Sequence, residues 1–378
     1  MRVGPAEFCL LRCRGRIVAG ALACCAWAPL AGAQTIRTES VLPATTDPAI
    51  TMALSAHRVA FATDIAHRNR LFVYLHGAGG TASSGTLLLS AAAENGFHAI
   101  GITYPMDQTP FQFCSTDFHC QELFRRELIE GVDSSPHIAI SRADSIENRI
   151  IKLLQHLDTA HPGEGWGSYA PGASIAWTSM VVYGHSMGGA NAALLARDHE
   201  LAGACISAPA ADIQGWWSAP ATPVQRIFGF SHVQDRFAQL QGVWATMGLN
   251  AFGAVQDVAT VAAPYSNTHM LSTSVAPAAG NDYHNSPTTD GATPRLGDGT
   301  PVYQPVWSYM MLGGAAQTPA CPGDADGDGA VGLSDIAIVV QHWGDHVAPG
   351  SGADQDGSGT VGLGDAAVVI GAWGVKCP

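Results

Sequence analysis

The sequence predicts an α/β domain, with a mostly parallel sheet covered by helices on both faces, followed by a small all-α module. Three observations predict it. Between Leu71 and Val275, short apolar runs rich in β-formers alternate with stretches of helical periodicity, the pattern of strands joined by helical crossovers. Within that alternation, Met180-Val181-Val182-Tyr183 breaks abruptly into Gly184-His185-Ser186-Met187-Gly188, and an Ala/Leu-rich segment follows. Near the end of the chain, an Asp/Gly-rich segment recurs at an interval of 30 residues.

With 378 residues, 47% of them hydrophobic, the chain can build one large domain and a small one. Arg12, Arg14 and Arg16 precede an apolar stretch from Ile17 to Leu30, and Ala31-Gly32-Ala33 supplies a small-x-small cleavage site. These features predict a signal peptide over 1–33 and an exported protein. The stretch is too short for a membrane anchor, so no stable membrane insertion is expected. The large domain then spans 34–312, a linker 313–320, and the small module 321–378.

Export makes the cysteines informative. Four of the nine fall within the signal peptide, leaving Cys114, Cys120, Cys205, Cys321 and Cys377. Cys114 and Cys120 are expected to close a local loop. Cys321 and Cys377 bracket the C-terminal module and are expected to pair if its two halves bring its ends together. Cys205 reads as a free buried strand thiol. The formal charge of −13 is concentrated late, with eight aspartates against one lysine from Cys321 onward. That excess suggests cations, and no basic patch suggests a nucleic-acid partner.

Leu71–Leu75 is the first strand read from the pattern, followed by His76-Gly77-Ala78-Gly79-Gly80. Thr86–Asn95 reads as a helix stopped by Gly96, and Phe97–Thr103 as a strand. Pro105–Ile140 reads as a long irregular insertion. Ser145–Leu157 is amphipathic, with Ile146, Ile150, Leu153, Leu154 and Leu157 on one face. Strands are then expected at Ala176–Tyr183, Ala204–Ala208, Val224–Phe230 and His269–Val275. Asp212–Pro223 reads as a loop, Phe237–Leu249 as a helix and Pro305–Leu312 as a closing helix.

Ser186 stands at the break between strand and helix, where a tight turn projects its hydroxyl and the following helix offers its N-terminal amides. A serine nucleophile needs a base, and the base needs an acid to orient it. The acid is expected after the second strand beyond Ser186, at Asp235, with Asp212 and Asp257 as rivals. A helix N-cap is the plain alternative reading of Asp235. The base is expected after the last strand, at His284; His269 would sit at the wrong end of that strand. Asp282 reads as a shaper of the His284 loop. The oxyanion donors are expected to be the amides of Met187 and Ala78, with Gly77 and Gly79 as alternatives to Ala78. No Lys-Ser/Thr follows the glycines at 77–80, so they do not make a phosphate loop.

These residues carry a resemblance. From about Thr35 to Leu312 the chain resembles a family of secreted bacterial α/β-hydrolases, distantly similar to esterases and polyester depolymerases. The matching stretches are Leu75-His76-Gly77, Asp144-Ser145-Ile146 with Asn148-Arg149, Gly184 to Gly189, Phe228 to His232, Asp282 to Ser286, and Gly299 to Tyr303. The resemblance implies an α/β-hydrolase fold, with Ser186, Asp235 and His284 as its triad. Met187 departs from the glutamine of many relatives, which alters the pocket wall and leaves a backbone donor in place.

In the C-terminal module, Asp324 to Asp335 aligns with Asp354 to Asp365. Each copy runs into an apolar helix ending Trp-Gly, at Trp343-Gly344 and Trp373-Gly374. Asp324, Asp326, Asp328 and Asp335 fall at calcium-loop positions 1, 3, 5 and 12, as do Asp354, Asp356, Ser358 and Asp365. Ala330 and Thr360 stand where a backbone carbonyl ligates, and Gly329 and Gly359 at the sharp turn. The spacing implies two Ca²⁺ sites, with Asp replacing the usual terminal Glu. The segment resembles a type I dockerin, which implies a cohesin-like partner. The expected activity is ester hydrolysis with no catalytic cofactor, on an ester substrate the sequence does not specify. The alternatives are a non-catalytic attachment protein on the same scaffold, or a peptidase or acyltransferase of the same fold.

Overall fold

The computed structural model describes residues 35–65, 67–237, 240–314, 322–325, 330–345, 353–356 and 361–376, with backbone alone at 240 and 241. The expected signal peptide, linker residues 315–320, Cys321 and Cys377, and the calcium candidates Asp326, Asp328, Ser358 and Thr360 lie outside these residues.

Among the described residues, nine strands form one sheet: β1 Ile36–Val41, β2 His57–Ala62, β3 Leu71–Leu75, β4 His98–Ile102, β5 Met180–His185, β6 Gly203–Ser207, β7 Ile227–His232, β8 Gln256–Asp257 and β9 Met270–Thr273. Their order is β1-β2-β4-β3-β5-β6-β7-β9-β8. Pairing is parallel from β4 through β8 and antiparallel where β1 and β2 close one edge. The helices are α1 Pro43–Thr46, α2 Thr86–Glu94, α3 Pro110–Cys114, α4 Phe118–Glu130, α5 Ile146–Ala160, α6 Met187–Asp198, α7 Ile213–Trp216, α8 Leu240–Thr246, α9 Gln304–Met311, α10 Leu333–Gln341 and α11 Leu363–Gly371.

Alternation along the central strands divides the core between the two faces of the sheet. Leu71, Val73, Leu75, Met180 and Val182 pack with the apolar faces of α5 and α6. Phe72, Tyr74, Val181 and Tyr183 pack with α2 and α9 on the other side. Strands buried on both faces read as continuous apolar runs, which is why β3 and β5 stand out in the sequence. In α5, Ile146, Ile150, Leu153, Leu154 and Leu157 are all fully buried. Each contributes on the order of 2 kcal/mol of apolar burial.

Two parts differ from the sequence expectation. The β1–β2 pair was not anticipated, because Ile36–Val41 intersperses polar residues along an edge and forms no continuous apolar run. The 105–140 insertion is largely helical. Thr109 and Gln112 form a reciprocal cap ahead of α3. Asp117 caps α4, and Gly131 ends it in the left-handed conformation. Those stop and start residues were the available signal, and aromatic and polar content obscured the helical period between them. Several bounds also shift: Val224–Arg226 is a short 3₁₀ turn before β7, Asp212–Pro223 contains α7, and among the described residues of 237–249 the α-helix is α8, with a 3₁₀ turn starting at Leu249.

The C-terminal residues build a symmetric core from equivalent positions of the two copies, Val331 with Val361 and Val339 with Val369. The pairing crosses between copies. Val331 N donates to Val375 O and Gly374 N to Val331 O, while Val361 N donates to Asp345 O and Gly344 N to Val361 O. The exit of each helix therefore pairs with the loop of the other copy. Cys114 and Cys120 form a disulfide, and Cys205 is free and buried. Among the described residues, no helix is long and apolar enough to cross a membrane.

Candidate active site

Ser186 sits between the last residue of β5 and the first of α6, with φ 57° and ψ −119°. A non-glycine residue there stores strain of about 1–3 kcal/mol, which persists only where the surroundings fix it. They do so here. Ser186 N donates to Ser207 O at 2.9 Å, and Ser186 O accepts from Gly189 N at 2.9 Å. The glycines of the motif are steric requirements. A Cβ on Gly184 would overlap the Gly188 carbonyl, and one on Gly188 would overlap the carbonyls of Leu75 and His76.

His284 Nε2 lies 2.8 Å from Ser186 Oγ, and His284 Nδ1 lies 2.8 Å from Asp235 Oδ2. The three expected residues thus meet in one line. The Asp235 side chain is 1% exposed and that of His284 10%. Since the carboxylate accepts the Nδ1–H, the bonding assigns the Nε2 lone pair to the serine hydroxyl. Asp235 also accepts from Phe237 N at 2.9 Å through Oδ1, so the plain capping interaction coexists with the imidazole contact. Phe237 packs edge-on against the His284 ring.

The rivals are committed elsewhere. Asp212 is gripped by Arg125 Nε at 2.6 Å and Nη2 at 2.9 Å, and also accepts from Trp216 Nε1. Asp257 accepts from Ala259 N and Ser274 N. His269 bonds to Ile227 O and stacks between Phe228 and Phe252. Asp282 accepts from His284 N at 2.6 Å, in keeping with a loop-shaping role.

The base loop is pinned from below. His185 Nε2 donates to His284 O at 3.0 Å; burial pulls the His185 pKa down to about 4, leaving a neutral ring. Thr288 bonds to Tyr183 and Ser207, and Pro287 O accepts from Trp307 Nε1. Sequence reading missed His185 in this role, and only its adjacency to Ser186 hinted at it.

Of the expected donors, Met187 opens α6, so its N–H has no acceptor within the helix. Gly79 N donates to Met106 O at 3.0 Å, which removes it from consideration. The glycine loop lies against the serine, since a Cβ on Gly77 would come within 2.9 Å of Ser186 Cβ. Such an arrangement can form a covalent bond to an electrophilic carbon and supply amides to its oxygen.

In the C-terminal residues, one carboxylate oxygen from each of Asp354, Asp356 and Asp365 lies within 4.8 Å of the other two. Asp354 and Asp365 are fully buried. Asp335 Oδ2 accepts from Gly332 N at 2.6 Å, and Asp365 Oδ2 from Gly362 N at 2.6 Å, one equivalent bond in each copy. Asp356 is exposed, so the cluster opens to solvent on one side; carboxylates this close repel unless a cation or protons neutralise them, and an all-oxygen set of this kind fits a hard divalent ion. Asp324 is buried too, and Ala330 bridges to Lys376. No family model matches the chain, and no curated protein matches it.

Proposed function

We propose that this chain is an exported serine hydrolase of the α/β-hydrolase type, cleaving carboxylic esters through an acyl-enzyme. The observation that carries the reading is the continuous Ser186–His284–Asp235 line with both contacts at 2.8 Å, on a serine held at positive φ. Ser186 Oγ attacks the ester carbon while its proton passes to His284 Nε2. Asp235 holds the imidazolium, and the amides of Met187 and Ala78 take the negative oxygen. His284 returns the proton to the leaving alcohol. Water then attacks the acyl-enzyme by the same route, regenerating Ser186 and releasing the acid.

A fluorophosphonate probe tests this directly, because only an activated serine reacts. Stoichiometric labelling at Ser186, abolished by His284→Ala, is expected. A folded protein that stays unlabelled would instead be a non-catalytic attachment protein.

We further propose that the C-terminal module is dockerin-like, serves attachment to a cohesin-like partner, and holds two structural Ca²⁺ ions. Asp324, Asp326, Asp328, Ala330 and Asp335 would hold one; Asp354, Asp356, Ser358, Thr360 and Asp365 the other. A bound ion would supply charge neutralisation and folding energy to a small core. Ser358 replaces the carboxylate that Asp328 offers, so the second site should be the weaker. Calorimetric titration of the chelator-treated full-length protein should resolve two sites, and Ser358→Asp should tighten the weaker one. Ester hydrolysis should survive chelation. A titration without binding heat would end the calcium assignment.

A further inference from the structure

The two sides of the oxyanion site are oriented by hydrogen bonds made on the far side of their own peptide units. A trans peptide points its C=O and the next N–H in opposite directions. Ser186 O accepts from Gly189 N and Ala210 N, which directs the Met187 N–H away from both donors. Gly77 O accepts from His76 Nδ1 at 2.7 Å and Gly80 N at 3.1 Å, which sets the Ala78 N–H. His76 O accepts from the Tyr104 hydroxyl at 2.6 Å, which sets the Gly77 N–H.

That hydroxyl is the last link of a longer chain. Arg125, on α4, is locked to Asp212 by the two bonds described above. Its remaining nitrogen, Nη1, donates to Asn191 Oδ1 at 2.8 Å and to Met187 O at 3.2 Å. Asn191 Nδ2 donates to Tyr104 Oη at 3.3 Å. Arg125, Asp212, Asn191, Tyr104 and His76 are each no more than 1% exposed. We propose that Arg125, acting through Asn191 and Tyr104, is a positioning residue for the glycine loop beside Ser186: the chain ends on the His76–Gly77 peptide, which carries the Gly77 N–H and adjoins the peptide that carries the Ala78 N–H. The proposal rests on the serine-hydrolase reading.

The chemistry of the links gives the chain one direction. A guanidinium can only donate, so Asn191 must turn its carbonyl toward Arg125 and its amide toward Tyr104. Tyr104 spends its single proton on His76 O, so toward Asn191 it accepts. An ion pair serving stability alone would be complete with Asp212. Here Arg125 also reaches the nucleophile helix and, through two neutral links, the glycine loop. In a dry interior, serial bonds polarise one another, and losing one leaves a buried carbonyl unpaired. The His76–Gly77 peptide is then free to turn, and the adjoining peptide that presents the Ala78 N–H to the reacting oxygen shifts with it.

Tyr104→Phe deletes one hydroxyl and keeps the ring stacked on His76. With p-nitrophenyl butyrate, kcat is expected to fall about 10- to 100-fold, less than the loss of a whole oxyanion donor, with KM nearly unchanged. Affinity for a trifluoromethyl ketone, whose adduct places an oxyanion in the site, should fall by a similar factor. Asn191→Asp still accepts from Arg125 and cannot donate to Tyr104, so it should reproduce the pattern if Tyr104→Phe fails to fold. Tyr169→Phe removes a buried hydroxyl bonded to His98, outside this chain, and should keep wild-type kcat. Wild-type kcat and ketone affinity in folded Tyr104→Phe, or in Asn191→Asp, would overturn the proposal, whatever the change in melting temperature. If Ser186→Ala is inactive in the same assay, the hydrolase reading survives that failure; if Ser186→Ala turns over normally, the hydrolase reading itself falls.

Discussion

Ser186→Ala and His284→Ala should each lower kcat for ester hydrolysis by on the order of 10⁴- to 10⁶-fold. The two residues act as one unit, so the double variant should be scarcely worse than either single one. Asp235→Asn should fall in the lower part of that range. The amide can donate to Nδ1, which favours the tautomer that presents N–H, not a lone pair, to Ser186. KM should change little in all three, because none of these groups is needed to hold the ground-state ester. Melting temperatures should stay close to wild type for Ser186→Ala, whose small side chain makes few contacts. Steady-state kinetics on purified, folded variants decides the matter. Wild-type turnover by Asp235→Asn would remove that residue from the site, despite its 2.8 Å contact with His284.

Gly184→Ala and Gly188→Ala should be among the most damaging single-methyl additions at the described glycines. The atoms that an added Cβ would meet are backbone atoms of the elbow and of the end of β3. No rotamer change can relieve that overlap; β5, α6 or β3 must move. Overpacking against fixed backbone of this kind is expected to cost more than about 4 kcal/mol, enough to unfold many domains outright. The expected readout is loss of soluble, cooperatively melting protein, with no labelling by fluorophosphonate. Gly291→Ala provides the control, because a Cβ there would meet no atom within 4 Å. It should stay within about 0.5 kcal/mol of wild type. A Gly188→Ala protein that melts like the wild type would show that the helix does not approach the strand as closely as described.

The parts of the fold that could be read from the sequence are those where one local cause dominates. β3 and β5 are buried on both faces, so their apolar runs declared them. α5 carries one apolar stripe, and its period declared it. Ser186, Asp235 and His284 could be brought together because each lies in the connection that follows a parallel strand, in the chain order that the resemblance to α/β-hydrolases implies. Asp235 could not be separated from Asp212 by spacing alone. The difference is tertiary: Arg125, 87 residues before Asp212, claims that carboxylate for itself. The same cause hid the Arg125–Asn191–Tyr104 chain, whose members come from three distant segments and share no period. At the edge, β1 and β2 escaped notice because a half-exposed antiparallel pair carries only a diluted apolar signal. In the insertion, the caps of α3 and α4 were present in the sequence, but nothing local marked which turns they enclosed.

The crossed pairing of the C-terminal residues bears on what its repeat has duplicated. Val331 is held by the exit of the second helix, and Val361 by the exit of the first. A single copy would lack the strand partner of its own loop and half of the valine core. The thirty-residue segment is therefore a unit of inheritance without being a unit of folding. Truncation between the copies would not yield a smaller version of the module but two fragments, each missing what the other provides.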